Sequence, residues 1–131
     1  MFNYFSTNDI GSILINTPDV ISIRIDNSII GERGIIDHIE ARISSPYTND
    51  NWDGFSEAIC DLCWLSSKQV RLVHVDLPLL SEHEMNIYLS ILKHTEVFWS
   101  HFPEDSNCLL IYFNTRLESF LEEKMAMIGC K

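Results

Sequence analysis

VRLVHVD, residues 70–76, carries Val70, Leu72, Val73 and Val75 among its seven residues, and the fold class turns on how it is read. It is apolar at both odd and even positions, the mark of a strand covered on both faces and set in the middle of a sheet. Upstream, VISIRID (20–26) alternates Val20, Ser22 and Arg24 with Ile21, Ile23 and Ile25, a period of two that predicts a strand. Downstream, CLLIYF (108–113) reads as a second buried strand. Helical stripes fill the gaps. ERGIIDHIEARI (32–43) carries Ile35, Ile36, Ile39 and Ile43 on one side, with Pro46 to end it. NWDGFSEAICDL (51–62) carries Trp52, Phe55, Ile59 and Leu62, with Asn51 or Asn49 as its N-cap. Ser81-x-x-Glu84 is a capping box opening a helix over about residues 82–99, buried through Tyr88, Leu89, Leu92 and Trp99. Thr115-x-x-Glu118 predicts a second box and a last helix with Leu117, Phe120, Leu121 and Met125, closed by Gly129.

Strands that alternate with helices, each with chain enough for a crossover, imply an α/β fold: a small three-stranded parallel sheet flanked by helices, with an extra C-terminal helix. The first 19 residues are ambiguous, and GSILI (11–15) is a candidate for an edge strand. Neither a repeat nor a linker interrupts the chain. At 131 residues it is expected to form one domain over 1–131, with its core at about 20–113 and an extension at each end.

Composition narrows the function classes. The chain is 46% hydrophobic and 21% charged, enough apolar material for a core. Nineteen acids against nine bases leave a formal charge of −10. That balance opposes nucleic-acid binding through phosphates, which needs a basic footprint, and it opposes an anionic membrane surface. It favours a basic protein partner. Neither a signal peptide nor an apolar run near 18 residues is present, so a cytoplasmic protein is expected. The four cysteines, Cys60, Cys63, Cys108 and Cys130, are expected to be free thiols.

Catalytic chemistry finds little support. A single Cys60-x-x-Cys63 lacks the second pair that a structural zinc site requires, and it lies at the wrong end of its helix for a redox motif. His74 and Asp76 share one face at the carboxyl end of a predicted parallel strand, where open α/β sheets place ligands. With His38 or His83 they would make a small metal-dependent enzyme conceivable. The bland alternative is a core histidine and a loop aspartate. Motifs for nucleophilic catalysis and phosphate binding are missing, so neither catalysis nor a cofactor is expected.

The unexplained feature is the polar face of residues 51–62. Asp53, Glu57 and Asp61 succeed one another at intervals of four, a ridge of carboxylates rising about 6 Å per step. Like charges at that spacing repel by roughly 0.2–0.5 kcal/mol per pair. Lys and Arg are absent between Arg42 and Lys68. The helix dipole explains Asp53 in the first turn but disfavours Asp61 near the last. Such a ridge either solvates a helix or awaits a cationic surface; its spacing is comparable to that of phosphates along extended RNA.

PYTNDNWDGFSEAICDL (46–62) resembles the signature of the barstar-like family of ribonuclease inhibitors, with Tyr47, Asn51, Trp52, Asp53 and Phe55 matching in place and character. The IDNSI segment (25–29), VRLVHVDLPLL, NIYLSILKHTEVFW and CLLIYF fit the order of that fold, so the resemblance covers roughly residues 20–113. It implies an immunity protein or antitoxin that blocks a ribonuclease active site with residues 47–61. Carried over by position, the contacts are Tyr47, Asn51, Asp53, Ser56, Glu57, Cys60 and Asp61. Asp53 and Glu57 would meet the enzyme's basic groups, and Cys60 would sit at the edge. Glu57 stands for the family's usual Asp, Gly54 for a usual Ala, and Asn49 for a preferred Gly, departures that point to a partner different from the family's best-known one. His94 and Phe98 occupy the acidic positions of the family's third helix, so that contact is not carried over. An adaptor of the same fold with a basic non-nuclease partner is the alternative.

Overall fold

A computed structural model of the chain describes residues 2–45, 51–62, 65, 69–101 and 108–129. Three strands lie where the alternation and the apolar runs place them: β2 (Val20–Ile25), β3 (Gln69–His74) and β4 (Cys108–Asn114). All pair in parallel, in a register that runs from Val20, Gln69 and Cys108 to Ile25, His74 and Phe113. β3 is central, as its apolar run requires. Between the strands come α2 (Gly31–Arg42), α3 (Trp52–Asp61) and α4 (Glu82–Trp99), and α5 (Glu118–Gly129) follows the last.

The sheet has four strands rather than the expected three, in the order β1 (Asn3–Phe5), β4, β3, β2. The extra strand is β1, parallel to β4 through Asn3 with Tyr112 and Phe5 with Asn114. GSILI does not form it, since Ile10–Ile13 is a short helix, α1. Three residues are too few to show a period of two. β1 is held instead by burial: Phe2 and Phe5 enter the core, and the Phe2 ring lies 5.0 Å from Phe113. Asn114 Nδ2 also donates to Thr7 Oγ1 at 3.2 Å.

Because β1 and β2 are opposite edges, the chain between them must cross the sheet. It crosses on the side away from the main core, where buried Ser22 donates through Oγ to the carbonyls of Ile13 and Ile15. Arg71 donates to Ile13 O at 3.1 Å and lies 5.9 Å from the centre of the Tyr112 ring. The alternate residues face the helices. Ile23, Ile25, Leu72, Ile111 and Phe113 form one cluster with Ile35 and Ile39 of α2, Phe55 and Ile59 of α3, Leu89 and Leu92 of α4, and Leu121 and Met125 of α5.

Helix ends follow local chemistry. Ser81 and Glu84 form the predicted capping box, and Glu84 Oε2 also accepts from Glu32 N, tying the starts of α2 and α4 together. These backbone N–H groups of Ser81 and Glu32 hold the Glu84 carboxyl below its usual range. The second predicted box is corrected. Asn114, one residue earlier, accepts from Arg116 N, and a 3₁₀ turn over Thr115–Leu117 precedes α5. Gly31 opens α2 at φ 76, a conformation costly for other residues, while its N–H reaches Leu79 O at 2.9 Å. The Pro46 stop and Cys63 and Cys130 lie outside the described residues; Cys60 is a free thiol. Among the described residues, no helix is long and apolar enough to cross a membrane.

Candidate protein-recognition surface

α3 begins where Asn51 Oδ1 accepts from Gly54 N at 2.9 Å, so the cap is Asn51. Trp52, the first helical residue, is buried against Phe55 and Tyr88, with ring centroids 6.3 and 6.1 Å apart. At the other end Trp99 Nε1 donates to Ile59 O at 2.9 Å, giving a carbonyl of the last turn a buried partner. Leu62 then turns left-handed at φ 50 and ends the helix. Both ends and one face of α3 are therefore fixed by the core, and the opposite face is presented on a rigid support.

At about 100° per residue, Asp53, Glu57 and Cys60 fall within about 60° of one another on that face, flanked by Ser56 on one side and Asp61 on the other. Trp52, Phe55, Ala58, Ile59 and Leu62 occupy the buried arc opposite. Asp53 and Glu57 are exposed, and among the described residues neither makes an ion pair. Asp61 is half-buried, so the ridge of three acids becomes an exposed pair with a third at its rim. Cys60 is half-buried and its thiol lies 3.8 Å from Thr95 Oγ1; burial pushes its pKa up, which suits an inert contact rather than a nucleophile. Tyr47 lies outside the described residues. Of the seven candidates, the structure thus brings five onto one face and places Asn51 at the cap behind them.

Sequence spacing could not bring α4 and α5 to this face. His83, Ile87, Ser90 and His94, at steps of four, three and four, line a groove of about 360 Å³ along α4. Ser56 of α3 forms one wall and Ile128 of α5 the other. Ser56 thus belongs both to the groove and to the border of the acidic face. Lys124 ties the outer wall in place, reaching Glu82 at 3.5 Å and Asn86 at 3.4 Å.

The His74 and Asp76 pair is not assembled for metal chemistry. His74 is fully buried and stacked on Phe113 at 4.0 Å. Its Nδ1 donates to Tyr112 O at 2.9 Å, while Nε2 accepts from the Tyr88 hydroxyl at 2.7 Å. Desolvation lowers its pKa to about 4, against the hydrogen bond to Tyr112, so it stays neutral. Asp76 pairs with Arg116 at 3.4 Å and accepts from Leu77 N. His38 bonds the Arg24 carbonyl, and His83 lies in the groove. Among the described residues, no group of three metal-ligating side chains occurs.

A family model, Barstar (barnase inhibitor), matches residues 22–111, more than half of the chain. No curated protein and no solved structure matches it.

Proposed function

The chain belongs to the barstar (barnase inhibitor) family, and on that footing we propose that it is a non-catalytic inhibitor of a ribonuclease, an immunity protein or antitoxin acting in the cytoplasm. Its recognition surface is the exposed face of α3: Asp53 and Glu57 at the centre, Ser56, Cys60 and Asp61 around them, and Asn51 with Tyr47 at the entry. The whole chain acts as one domain, with the segments before and after the family match as extensions. The single observation that carries this reading is the exposed, like-charged pair Asp53 and Glu57 on a helix fixed at both ends.

The mechanism is occlusion. Ribonuclease active sites are lined by cations that hold phosphate. Two carboxylates on a rigid helix offer those cations the charge of a substrate without a bond to cleave. Complementary charge speeds encounter and fixes register. Preorganisation by the Asn51 cap and the Trp99 contact limits the entropy lost on docking. The free protein holds Asp53 and Glu57 in mutual repulsion, which a cationic partner relieves.

The test is inhibition of a panel of purified bacterial ribonucleases, barnase among them, by the purified protein, read as residual RNA cleavage and repeated across a range of salt. Stoichiometric inhibition whose association slows steeply with ionic strength supports the proposal. Full activity of every ribonuclease of the panel in the presence of excess folded protein counts against it.

A further inference from the structure

We propose that the groove between α3, α4 and α5 is an anchoring pocket for a protruding aromatic or branched apolar side chain of the same ribonuclease; this rests on the reading of α3 as the inhibitory face. Area gives the first argument. The exposed face of a ten-residue helix is about 15 Å long and about 10 Å wide, roughly 150 Å². A stable interface needs about 800 Å² per partner. Surface next to the ridge must supply the remainder.

Continuity gives the second. Ser56 lies one position before Glu57 and also forms a wall of the groove, so a protein seated on the acidic pair lies across the groove mouth. The chemistry of the lining gives the third. Ile87, Ile91 and Ile128 are apolar and packed against the core, while the polar Ser56, His83, Asn86, Ser90 and His94 complete the lining. An apolar floor with a polar rim is what an interface anchor fills, since such anchors sit in desolvated pockets beside charged contacts. At about 360 Å³ the groove also lies near the small end of cofactor sites, about 300–1,000 Å³.

Family membership does not supply this pocket. The match ends at residue 111, and Ile128 belongs to α5 beyond it. The C-terminal helix therefore adds a wall to the recognition surface and with it a determinant of which ribonuclease is accepted.

The groove is tested first on the isolated protein, by titrating indole, a free aromatic side chain, against isotope-labelled protein in NMR. Saturable millimolar shifts confined to the methyl groups of Ile87, Ile91 and Ile128, and abolished in Ser90→Trp, support the pocket. No saturable shift, or shifts scattered over the molecule, overturn it. Ser90 Oγ bonds only its own helix, to Asn86 O at 2.7 Å, so filling this position leaves the core untouched. Ile128→Ser, at the end of α5, is the second variant should Ser90→Trp unfold.

The ribonuclease of the panel that the protein inhibits is then the probe for occupancy. At least a tenfold loss of affinity for it in Ser90→Trp, with an unchanged melting temperature, supports the proposal. If Asp53→Ala/Glu57→Ala weakens that binding and Ser90→Trp does not, the groove proposal falls and the acidic face stands. If neither variant changes the affinity, or if no ribonuclease of the panel is bound, both fall together.

Discussion

His74 makes the fold itself sensitive to acid, and the size of the effect follows from its surroundings. Nε2 accepts the Tyr88 hydroxyl, Nδ1 donates to Tyr112, and water has no access. Protonating Nε2 would turn that acceptor into a donor facing the Tyr88 hydroxyl inside the core. Desolvation by burial lowers the folded-state pKa from 6.5 to about 4, against the backbone hydrogen bond to Tyr112. A pKa lowered on folding means that the unfolded chain binds the proton more tightly, so the stabilisation is fully present above pH 6.5. It is lost as pH falls from about 6.5 to about 4. The gap of about 2.5 units is worth roughly 3–4 kcal/mol in full at about 1.4 kcal/mol per unit, of which about 3 kcal/mol is lost by pH 4. The assay is urea unfolding followed by tryptophan fluorescence at steps of pH from 7.5 to 4, on the parent and on His74→Gln. The amide can donate and accept without titrating in this range. Carboxylates contribute to both proteins, so the difference between the two curves isolates His74. The parent should lose about 3 kcal/mol more than the variant over that window. Parallel curves would refute the buried, neutral assignment.

Other consequences are local. Asn51→Ala removes the cap of α3 and should lower unfolding free energy by about 1 kcal/mol, measured by denaturant titration, with Asn51→Ser restoring most of it. Phe5→Ala should cost about 3 kcal/mol or more in the same assay, because its ring is 3% exposed and anchors the edge strand outside the family match. A loss below about 1 kcal/mol would mean that β1 is ornamental.

The parts of the fold that the sequence disclosed are those with enough length to be periodic. β2, β3 and β4 each repeat their alternation or apolar run over six or seven residues, and α4 has both a capping box and eighteen residues of pattern. β1 has three residues, and only its pairing with β4 and the burial of Phe2 and Phe5 reveal it. The start of α5 shifted by one cap. Asn114 is still paired to Phe5 as a strand residue while its side chain already caps the following turn, a double duty that spacing does not announce.

For the surface, the four-residue interval put Asp53 and Glu57 side by side but could not show that Asp61 is half-buried. The His74 and Asp76 pair stood open in the sequence because spacing does not show what a side chain packs against. Tyr88, fourteen residues away, decides it by bonding the imidazole in the core. The groove was illegible because its walls come from three helices and its outer wall from the end of α5.

The most direct test of the proposed recognition face is the dissociation constant for the ribonuclease that the protein inhibits, for the parent and for Asp53→Ala/Glu57→Ala, measured with both melting temperatures. The fold should survive. Losing Asp53 forgoes a few tenths of a kcal/mol of dipole stabilisation, and losing Glu57 removes a repulsion of similar size. Central interface residues of this kind cost at least about 2 kcal/mol when truncated, so affinity should fall by about thirtyfold or more at unchanged stability. A complex whose affinity stays within threefold of the parent's would contradict the account.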